Sequence, residues 1–353
     1  MAKSKQTDIW FFVGHSIGVT LLGIHTLEVG YFSLPKSERG KLFLVINGDK
    51  TQLYQDLLNQ YPHITLVTIS RRSAGTLLKI ILKRIGRKQI VLHPLSFGSV
   101  HRVHAFLTRI ITSTSVGSRS VVYGERSFYN RFWFTNVLPA KLDQSIFTSM
   151  EQAVRECGIA VHSRTPHLLY AVMPPAPILI STKQPYIVIH PFAANAVRSL
   201  PPDRWLALLN FLYIHYPQYH IVISGSPSDR IEAEAMITNS KGTKYFSEDL
   251  FSSFLPKIGM IAEAALYIGV DTGPSHIAAH VGVPMILIGN NSNPCWLPTY
   301  NNDVTTLMNL KHCTCTLSKG GDCKETYNGK VYYRCMLQIK QTDIEQAINK
   351  KLQ

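Results

Sequence analysis

The sequence lacks an apolar run long enough to cross a membrane. The best candidate, residues 9–24, is interrupted by His15 and falls short of the roughly 20 apolar residues that a spanning helix needs. Lys3 and Lys5 precede this stretch much as in a signal peptide, but no small-residue cleavage site follows it. We therefore expect a cytoplasmic protein in which residues 9–13 form a first buried strand.

Acidic residues are scarce. The 353 residues include 22 Asp and Glu against 36 Lys and Arg, which gives a formal net charge of +14 with histidine neutral. Such an excess favours anionic partners, namely nucleotides, nucleic acid or a phosphate-bearing lipid surface. Because the basic residues are spread through the chain and no zinc-finger, basic-zipper or RNP-type motif is present, we expect no nucleic-acid partner. An anionic membrane surface remains a candidate.

Cysteine is also infrequent, and four of the six cysteines cluster near His312. In a reducing cytoplasm, gathered thiols bind metal more often than they form disulfides. Their spacing is not a standard zinc pattern, so we favour reduced thiols and keep a structural zinc site as the alternative. The four residues are Cys313, Cys315, Cys323 and Cys335.

The length and the hydrophobic periodicity predict two α/β domains. A chain of 353 residues exceeds one usual core. Strands that alternate with helical segments imply a parallel sheet covered on both faces. The predicted strands of the first half are residues 9–13, 42–46, 64–69, 90–92 and 120–123, with helical segments at 19–27, 52–60 and 74–85. Residues 127–138 are unusually aromatic, which favours core or interdomain packing over an exposed platform for an acceptor or a membrane.

A proline-rich segment separates the two predicted domains. We place the domains at 1–173 and 186–340, with a stiff linker at 174–185 and a final helix at 341–353. Together they predict two doubly wound, Rossmann-like domains with a cleft between them. The second half has predicted strands at 186–190, 220–224, 266–270 and 285–288, and predicted helices at 202–215, 228–238 and 342–351.

Residues 269–298 carry the most functional information, because they read as a strand, a tight turn, a short helix and another strand. Asp271 follows the strand, and Thr272, Gly273 and Pro274 form a turn of small residues where backbone can approach a ligand. The positive end of the helix starting near His276 would face that turn, which predicts a bound diphosphate. The alternative is an ordinary turn in which Asp271 caps the helix and His276 is packed.

Two other loops follow predicted strands of the second domain. Arg198 lies in the loop after strand 186–190, and Gly225 and Asp229 lie in the loop after strand 220–224. Since ligands of such sheets sit at the carboxyl ends of strands, we expect these loops to converge with the 271–276 turn. Arg198 would pair with phosphate oxygens and Asp229 would accept ribose hydroxyls, whereas the alternative is a pair of ordinary capped loops.

These motifs resemble glycosyltransferase family 9, the ADP-heptose lipopolysaccharide heptosyltransferases. The resemblance covers residues 186–348 well and is carried by VDTGPSHIAAHVGVPMILIG, IHPFAANAVRSLPPDRW and ISGSPSDR. It implies a GT-B fold, with the ADP-sugar donor bound by the C-terminal domain and a lipid-A-linked core acceptor bound by the N-terminal domain. It also implies an inverting reaction that needs neither a metal nor a cofactor.

The resemblance assigns roles to individual residues. Asp271, Thr272, Gly273 and His276 would hold the diphosphate, and Arg198 stands where the family usually has Lys. Asp229 would contact the ribose. Without a metal, the helix end, Arg198 and His276 would stabilise the charge that grows on the leaving diphosphate.

The chain departs from the family in the first loop, where Val19 replaces the usual Asp proposed as general base. Val19 cannot accept a proton, and His15 in the same loop is the candidate base, since its ordinary pKa near 6.5 suits the task. Three alternatives remain. His15 is an ordinary loop histidine, the base is a carboxylate elsewhere such as Asp49, or the chain binds the donor without efficient turnover. A transferase that uses another nucleotide sugar is also open.

Overall fold

The computed structural model describes residues 6–13, 17–47, 58, 61–69, 74–96, 102–113, 116–124, 128–139, 144–161, 184–240, 244–247, 254–289, 294–298, 303–309 and 323–353. The chain divides into two compact units, Met1–Pro166 and His167–Gln353. Residues 174–183 of the predicted linker and nearly all of the predicted helix 52–60 lie outside the described residues.

The first unit is built on a six-stranded parallel sheet with strand order β3-β2-β1-β4-β5-β6. This is the strand order of the Rossmann fold. The strands are β1 (Thr7–Val13), β2 (Arg39–Asn47), β3 (Ile64–Ile69), β4 (Lys88–Ser96), β5 (Arg119–Gly124) and β6 (Asn136–Pro139). The helices are α1 (Ile17–Ser33), α2 (Ala74–Leu82), α3 (Arg102–Ser113), α4 (Phe128–Trp133) and α5 (Ile146–Glu156).

Helices cover both faces of this sheet, which explains why every residue of β1 is buried. On one face, α1 packs so closely that a Cβ on Gly23 would lie 2.7 Å from Leu44 and 2.9 Å from Phe11. On the other face, α2 and α3 pack on a core cluster that includes Trp10 and Phe43. The continuous apolar character of the predicted strand is thus the result of two buried faces.

The second unit repeats the architecture. Its six-stranded parallel sheet has the order β12-β11-β10-β7-β8-β9, which is again the Rossmann order when counted from β7. The strands are β7 (Tyr186–His190), β8 (His220–Ser224), β9 (Lys244–Ser247), β10 (Leu266–Val270), β11 (Met285–Ile288) and β12 (Val304–Leu307). The helices are α6 (Pro202–His215), α7 (Arg230–Asn239), α8 (Phe254–Ala262), α9 (Gly273–Val281), α10 (Arg334–Leu337) and α11 (Gln341–Leu352).

An antiparallel hairpin of β13 (Lys324–Tyr327) and β14 (Lys330–Tyr333) precedes α10. Its two-residue turn has positive φ at Asn328 (48°) and Gly329 (74°), which suits an Asn-Gly hairpin turn. Helix α11 packs on α6, and its Ile344 and Ile348 belong to the core cluster of the second unit. The final helix is therefore part of this unit's core.

The predicted α/β class with two Rossmann-like, doubly wound domains is confirmed. Several element boundaries differ from the predictions. Helix α1 starts at Ile17, earlier than predicted, and α2 ends at Leu82, followed by a turn. A 3-10 turn at Pro227–Asp229 precedes α7. No helix in the described part of the chain combines the length and the apolar content needed to cross a bilayer.

Candidate functional site

The candidate site lies where strands of the second sheet end. Strands β7 and β10 are parallel neighbours, with Gly269 paired to His190 near their carboxyl ends. Helical connections leave the two strands in opposite directions along the sheet, so this pair is the switch point at which doubly wound sheets bind ligands. The predicted loops with Arg198 and Asp271 both begin at this edge.

The turn after β10 leaves backbone donors free. Thr272 caps α9 with extended backbone (φ −147°, ψ 177°), and its side chain makes no capping hydrogen bond. Pro274 lies in the first turn of the helix, where its missing N–H costs no hydrogen bond. Among the described residues, the N–H groups of Gly273 and Ser275 have no acceptor, whereas His276 N–H donates to Thr272 O at 3.3 Å. The turn can therefore bind an anion through backbone groups.

Asp271 does not cap this helix but binds Arg198. Arg198 Nη2 donates to Asp271 Oδ2 at 2.7 Å and to the Asp271 carbonyl at 3.1 Å. Arg198 ends the 3-10 turn Ala196–Arg198, so this contact joins the loops after β7 and β10. The carboxylate thus positions the guanidinium. The Nε atom of Arg198 is buried and has no hydrogen-bond partner within the described ranges, so a ligand oxygen could accept from it.

His276 lies beside this ion pair. Its Nε2 is 3.9 Å from Asp271 Oδ1, which is longer than a hydrogen bond. Burial lowers the pKa of His276 below its ordinary value, and the Asp271 carboxylate, which raises the pKa, only partly offsets this, while Arg198 lowers it further. His276 is therefore neutral near pH 7. It can offer an N–H donor to a ligand, while Arg198 supplies the positive charge.

A buried support for the turn was missed from the sequence. The Tyr267 hydroxyl contacts Ser275 Oγ at 3.1 Å, and Ser275 Oγ donates to Val270 O at 2.5 Å. A Cβ on Gly269 would lie 2.6 Å from the Tyr267 hydroxyl, so glycine is needed there. The available signal was a tyrosine within a fully buried strand, because a buried phenol requires a polar partner.

The loop after β8 has a defined structural function. Asp229 Oδ2 accepts from Ser226 N at 2.8 Å, as in a capping box, and also accepts from Ser226 Oγ at 2.6 Å. Asp229 Oδ1 accepts no hydrogen bond within the described part of the chain. The loop starts at Gly225, which is buried, and follows Ser224, whose buried Oγ has no partner among the described residues. The predicted ribose contact of Asp229 stays a prediction.

The predicted site residues of the first unit lie mostly outside the described residues. This applies to His15 and to Asp49, whereas Val19 is the third residue of α1 and is partly exposed.

The cysteine cluster is described only in part. Cys313 and Cys315 lie outside the described residues, while Cys323 and Cys335 form no disulfide with another described residue and flank the β13–β14 hairpin. The Cys323 carbonyl accepts from Arg334 N at 2.8 Å. Within the described ranges, no group of three or more His, Cys, Asp or Glu side chains could hold a metal ion.

A family model and two curated proteins match the sequence. The family model described as glycosyltransferase family 9 (heptosyltransferase) matches residues 143–326. Among curated proteins, the chain is 31% identical over 122 residues to lipopolysaccharide heptosyltransferase 3 of Escherichia coli, covering 34% of this chain and 35% of that relative. The protein of the same name from strain K12 is 30% identical over 126 residues, covering 35% and 36%. The chain thus spans about a third of the length of these relatives.

Solved structures share the fold over nearly the whole chain. A glycosyl transferase family 9 protein from Veillonella parvula has a TM-score of 0.68 at 15% identity, covering 99% of this chain and 98% of that one. The E. coli heptosyltransferase WaaC with ADP has a TM-score of 0.66 at 13% identity, covering 98% and 99%. The iron-containing dodecameric heptosyltransferase TibC has a TM-score of 0.53 at 14% identity, covering 99% and 76%. The predicted GT-B fold is confirmed.

Proposed function

Because the chain belongs to glycosyltransferase family 9, the heptosyltransferases, and is therefore a glycosyltransferase, we propose that it transfers heptose from ADP-heptose to a lipopolysaccharide core. The proposed acceptor is the lipid-A-linked inner-core oligosaccharide, and the proposed reaction inverts the anomeric centre without a metal or cofactor. The curated relatives named for this activity motivate the substrates. In this proposal residues 1–173 bind the acceptor, residues 174–185 form a linker and residues 186–340 bind the donor.

The observation that carries the proposal is the Arg198–Asp271 contact at the switch point of the second sheet. An acceptor oxygen attacks the anomeric carbon while the bond from that carbon to the diphosphate oxygen breaks, so negative charge grows on the departing ADP. Hydrogen-bond donors of the protein that are already in position before the reaction stabilise such charge strongly. Arg198 provides a charged fork, α9 provides the N–H groups of Gly273 and Ser275, and His276 provides a neutral N–H.

Asp271 has an indirect role in this mechanism. A carboxylate repels a diphosphate, so direct contact between the two is unfavourable unless a cation lies between them. With Arg198 2.7 Å from its Oδ2, Asp271 holds that cation in place before the nucleotide arrives. We propose that Thr272 and Gly273 contact the diphosphate through backbone N–H groups, that Pro274, which has no N–H, packs against it, and that Gly225 and Asp229 contact the nucleoside.

The acceptor hydroxyl must lose a proton during the attack. We propose His15 as the general base, because Val19 of α1 carries no ionisable group and an imidazole is effective near neutral pH. The alternative function is a donor-binding protein without efficient transfer, which Val19 also favours. Transfer that is abolished in His15→Ala while ADP binding is unchanged supports the base and excludes the alternative.

Two measurements test the proposal. Incubation with ADP-heptose and heptose-deficient lipopolysaccharide should release ADP and extend the core, and no release would contradict the activity. A panel of nucleotide sugars in thermal-shift experiments identifies the donor, because a ligand that binds only the folded state raises the melting temperature. Stabilisation by UDP-sugars without stabilisation by ADP-heptose would instead identify a transferase with another donor.

The cysteine cluster is proposed to contain reduced thiols, with a structural metal site as the alternative. The other two cysteines, Cys157 and Cys295, do not belong to the cluster. Burial raises the pKa of the Cys157 thiol to about 12 and that of Cys295 to about 11, so both remain protonated thiols at neutral pH. Metal analysis of protein purified without chelator decides for the four clustered residues. One equivalent of zinc or iron would contradict reduced thiols.

A further inference from the structure

Helix α2 exposes an apolar stripe on its outer face. Leu78, Leu82 and Ile85 are between 52% and 60% exposed and follow the i, i+4, i+7 spacing of one helical face. Beyond Leu82 the chain continues in a hydrogen-bonded turn, in which Lys83 N donates to Lys79 O and Ile85 N donates to Leu82 O, so Ile85 lies just after the helix. Leu77 and Ile81 face the core instead. The exposed stripe is therefore additional to the residues that hold the helix on the sheet.

Neighbouring helices of the first unit add to this surface. Helix α3 exposes Phe106 (54%) and Val103, while its Ile111 packs on the same core cluster as α2, so both helices cover one face of the sheet. Helix α4 contacts α3 and exposes Phe128 (86%) and Phe132. Eight of the thirteen large hydrophobic side chains exposed in the described part of the chain lie between residues 78 and 132.

Acidic residues are absent from most of this segment. Lys and Arg are spread along the chain, but no Asp or Glu occurs in residues 57–124, a stretch of 68 residues with ten Lys and Arg. Arg84 and Arg87 lie 3.8 and 4.0 Å from the buried Asp8. Lys79, Lys83, Arg102 and Arg109 have no acidic partner within the described ranges. These four cations are thus available to an external anion.

We propose that this basic apolar face, made of α2, α3 and α4, docks on an anionic lipid bilayer. Cations beside exposed apolar side chains are the composition of helices that lie in a membrane interface, where the cations contact headgroups and the apolar groups enter the acyl boundary. A second copy of the chain fits less well, because two acid-free faces brought together repel each other. The surface lies outside the donor site, so this proposal does not depend on the transfer reaction.

Vesicle partitioning of the full-length chain tests the proposal. Co-sedimentation with phosphatidylcholine vesicles containing phosphatidylglycerol should exceed that with pure phosphatidylcholine and should weaken with salt. Lys79→Gln/Lys83→Gln should weaken binding about thirtyfold, since each basic group near the surface contributes about 1 kcal/mol. The control Lys36→Gln/Lys41→Gln removes the same charge from exposed positions of the same unit and should change binding little.

The apolar stripe has its own test. Leu82→Ser/Ile85→Ser should abolish the binding that persists at high salt, whereas Ile214→Ser/Ile231→Ser, at exposed positions of the second unit, should not. Equal effects of variants and controls would overturn the proposal. So would a change from dimer to monomer in sedimentation of the Leu82→Ser/Ile85→Ser variant, which would identify the face as an interface between copies. ADP binding measured on every variant separates loss of docking from loss of the donor site.

Discussion

Replacement of Arg198 by Ala should weaken nucleotide binding strongly. A hydrogen bond between a guanidinium and a charged acceptor contributes about 1.5–3 kcal/mol, so loss of one such bond lowers ADP affinity by about 10- to 150-fold. Arg198→Lys should retain part of the affinity, because the charge remains while the planar fork is lost. Arg155→Ala, which removes a cation paired with Glu151 in the other unit, serves as the control. Calorimetric titration with ADP measures all three variants.

The same substitution should also destabilise the free protein, for a separate reason. Asp271 is about 10% exposed, and without Arg198 its carboxylate is buried with His276 as the remaining neighbour at 3.9 Å. A buried acceptor left without its partner costs about 1–3 kcal/mol. Asp271→Asn in the Arg198→Ala background removes the unpaired charge. It should therefore recover part of the stability, together with the part of the ADP affinity lost to repulsion by the unshielded carboxylate, but not the part contributed by the guanidinium.

The two effects allow the reasoning to be refuted. If Arg198→Ala bound ADP as tightly as the wild type, the guanidinium would not contact the diphosphate. In a folded Asp271→Asn variant that keeps the Arg198 residue, a lower ADP affinity is expected, because the guanidinium is no longer held in position. An Asp271→Asn variant with unchanged affinity would show that the carboxylate does not position Arg198.

Three further predictions concern the turn, a buried histidine and the nucleoside loop. Gly269→Ala should lower stability by about 1–3 kcal/mol, because its Cβ would meet Tyr267, whereas Gly75→Ala has open space and should not destabilise; urea unfolding compares them. Burial lowers the pKa of His93 well below 6.5, so below pH 6.5 the unfolded state binds more protons than the folded state. Stability therefore decreases as the pH is lowered through this range, and His93→Phe should make that decrease smaller. Asp229→Ala should lower the free energy of unfolding by about 1 kcal/mol, because a capping hydrogen bond is lost. It should also weaken the binding of ADP more than that of pyrophosphate, and equal weakening would contradict a ribose contact.

Four of the six strands in the second unit's parallel sheet could be predicted from the sequence almost to the residue. Predicted strands 186–190, 220–224, 266–270 and 285–288 coincide with β7, β8, β10 and β11. Strands covered on both faces need continuous apolar runs, and such runs are visible without any knowledge of partners. The two short edge strands of this sheet, β9 and β12, were not predicted. The residues of β12 are only partly buried, and Val304–Leu307 shows no clear apolar period.

The aromatic stretch 127–138 shows what local composition cannot decide. Phe134 is buried in a small cluster with Ala105 and Val122, whereas Phe128 and Phe132 are exposed. Neither packing nor an exposed platform describes the whole stretch. Which face of a short helix is covered depends on the neighbouring elements, and these are distant in sequence.

The sequence by itself determined that Arg198, Asp229, Asp271 and His276 follow predicted strands, and it predicted a diphosphate site there, because turn chemistry and strand ends are local properties. Only the tertiary structure decided that Arg198 and Asp271, 73 residues apart, form one ion pair, and that burial keeps His276 neutral. Those relations arise because the sheet order places β10 beside β7. Neither the order of strands nor the burial of a side chain is encoded in any single segment.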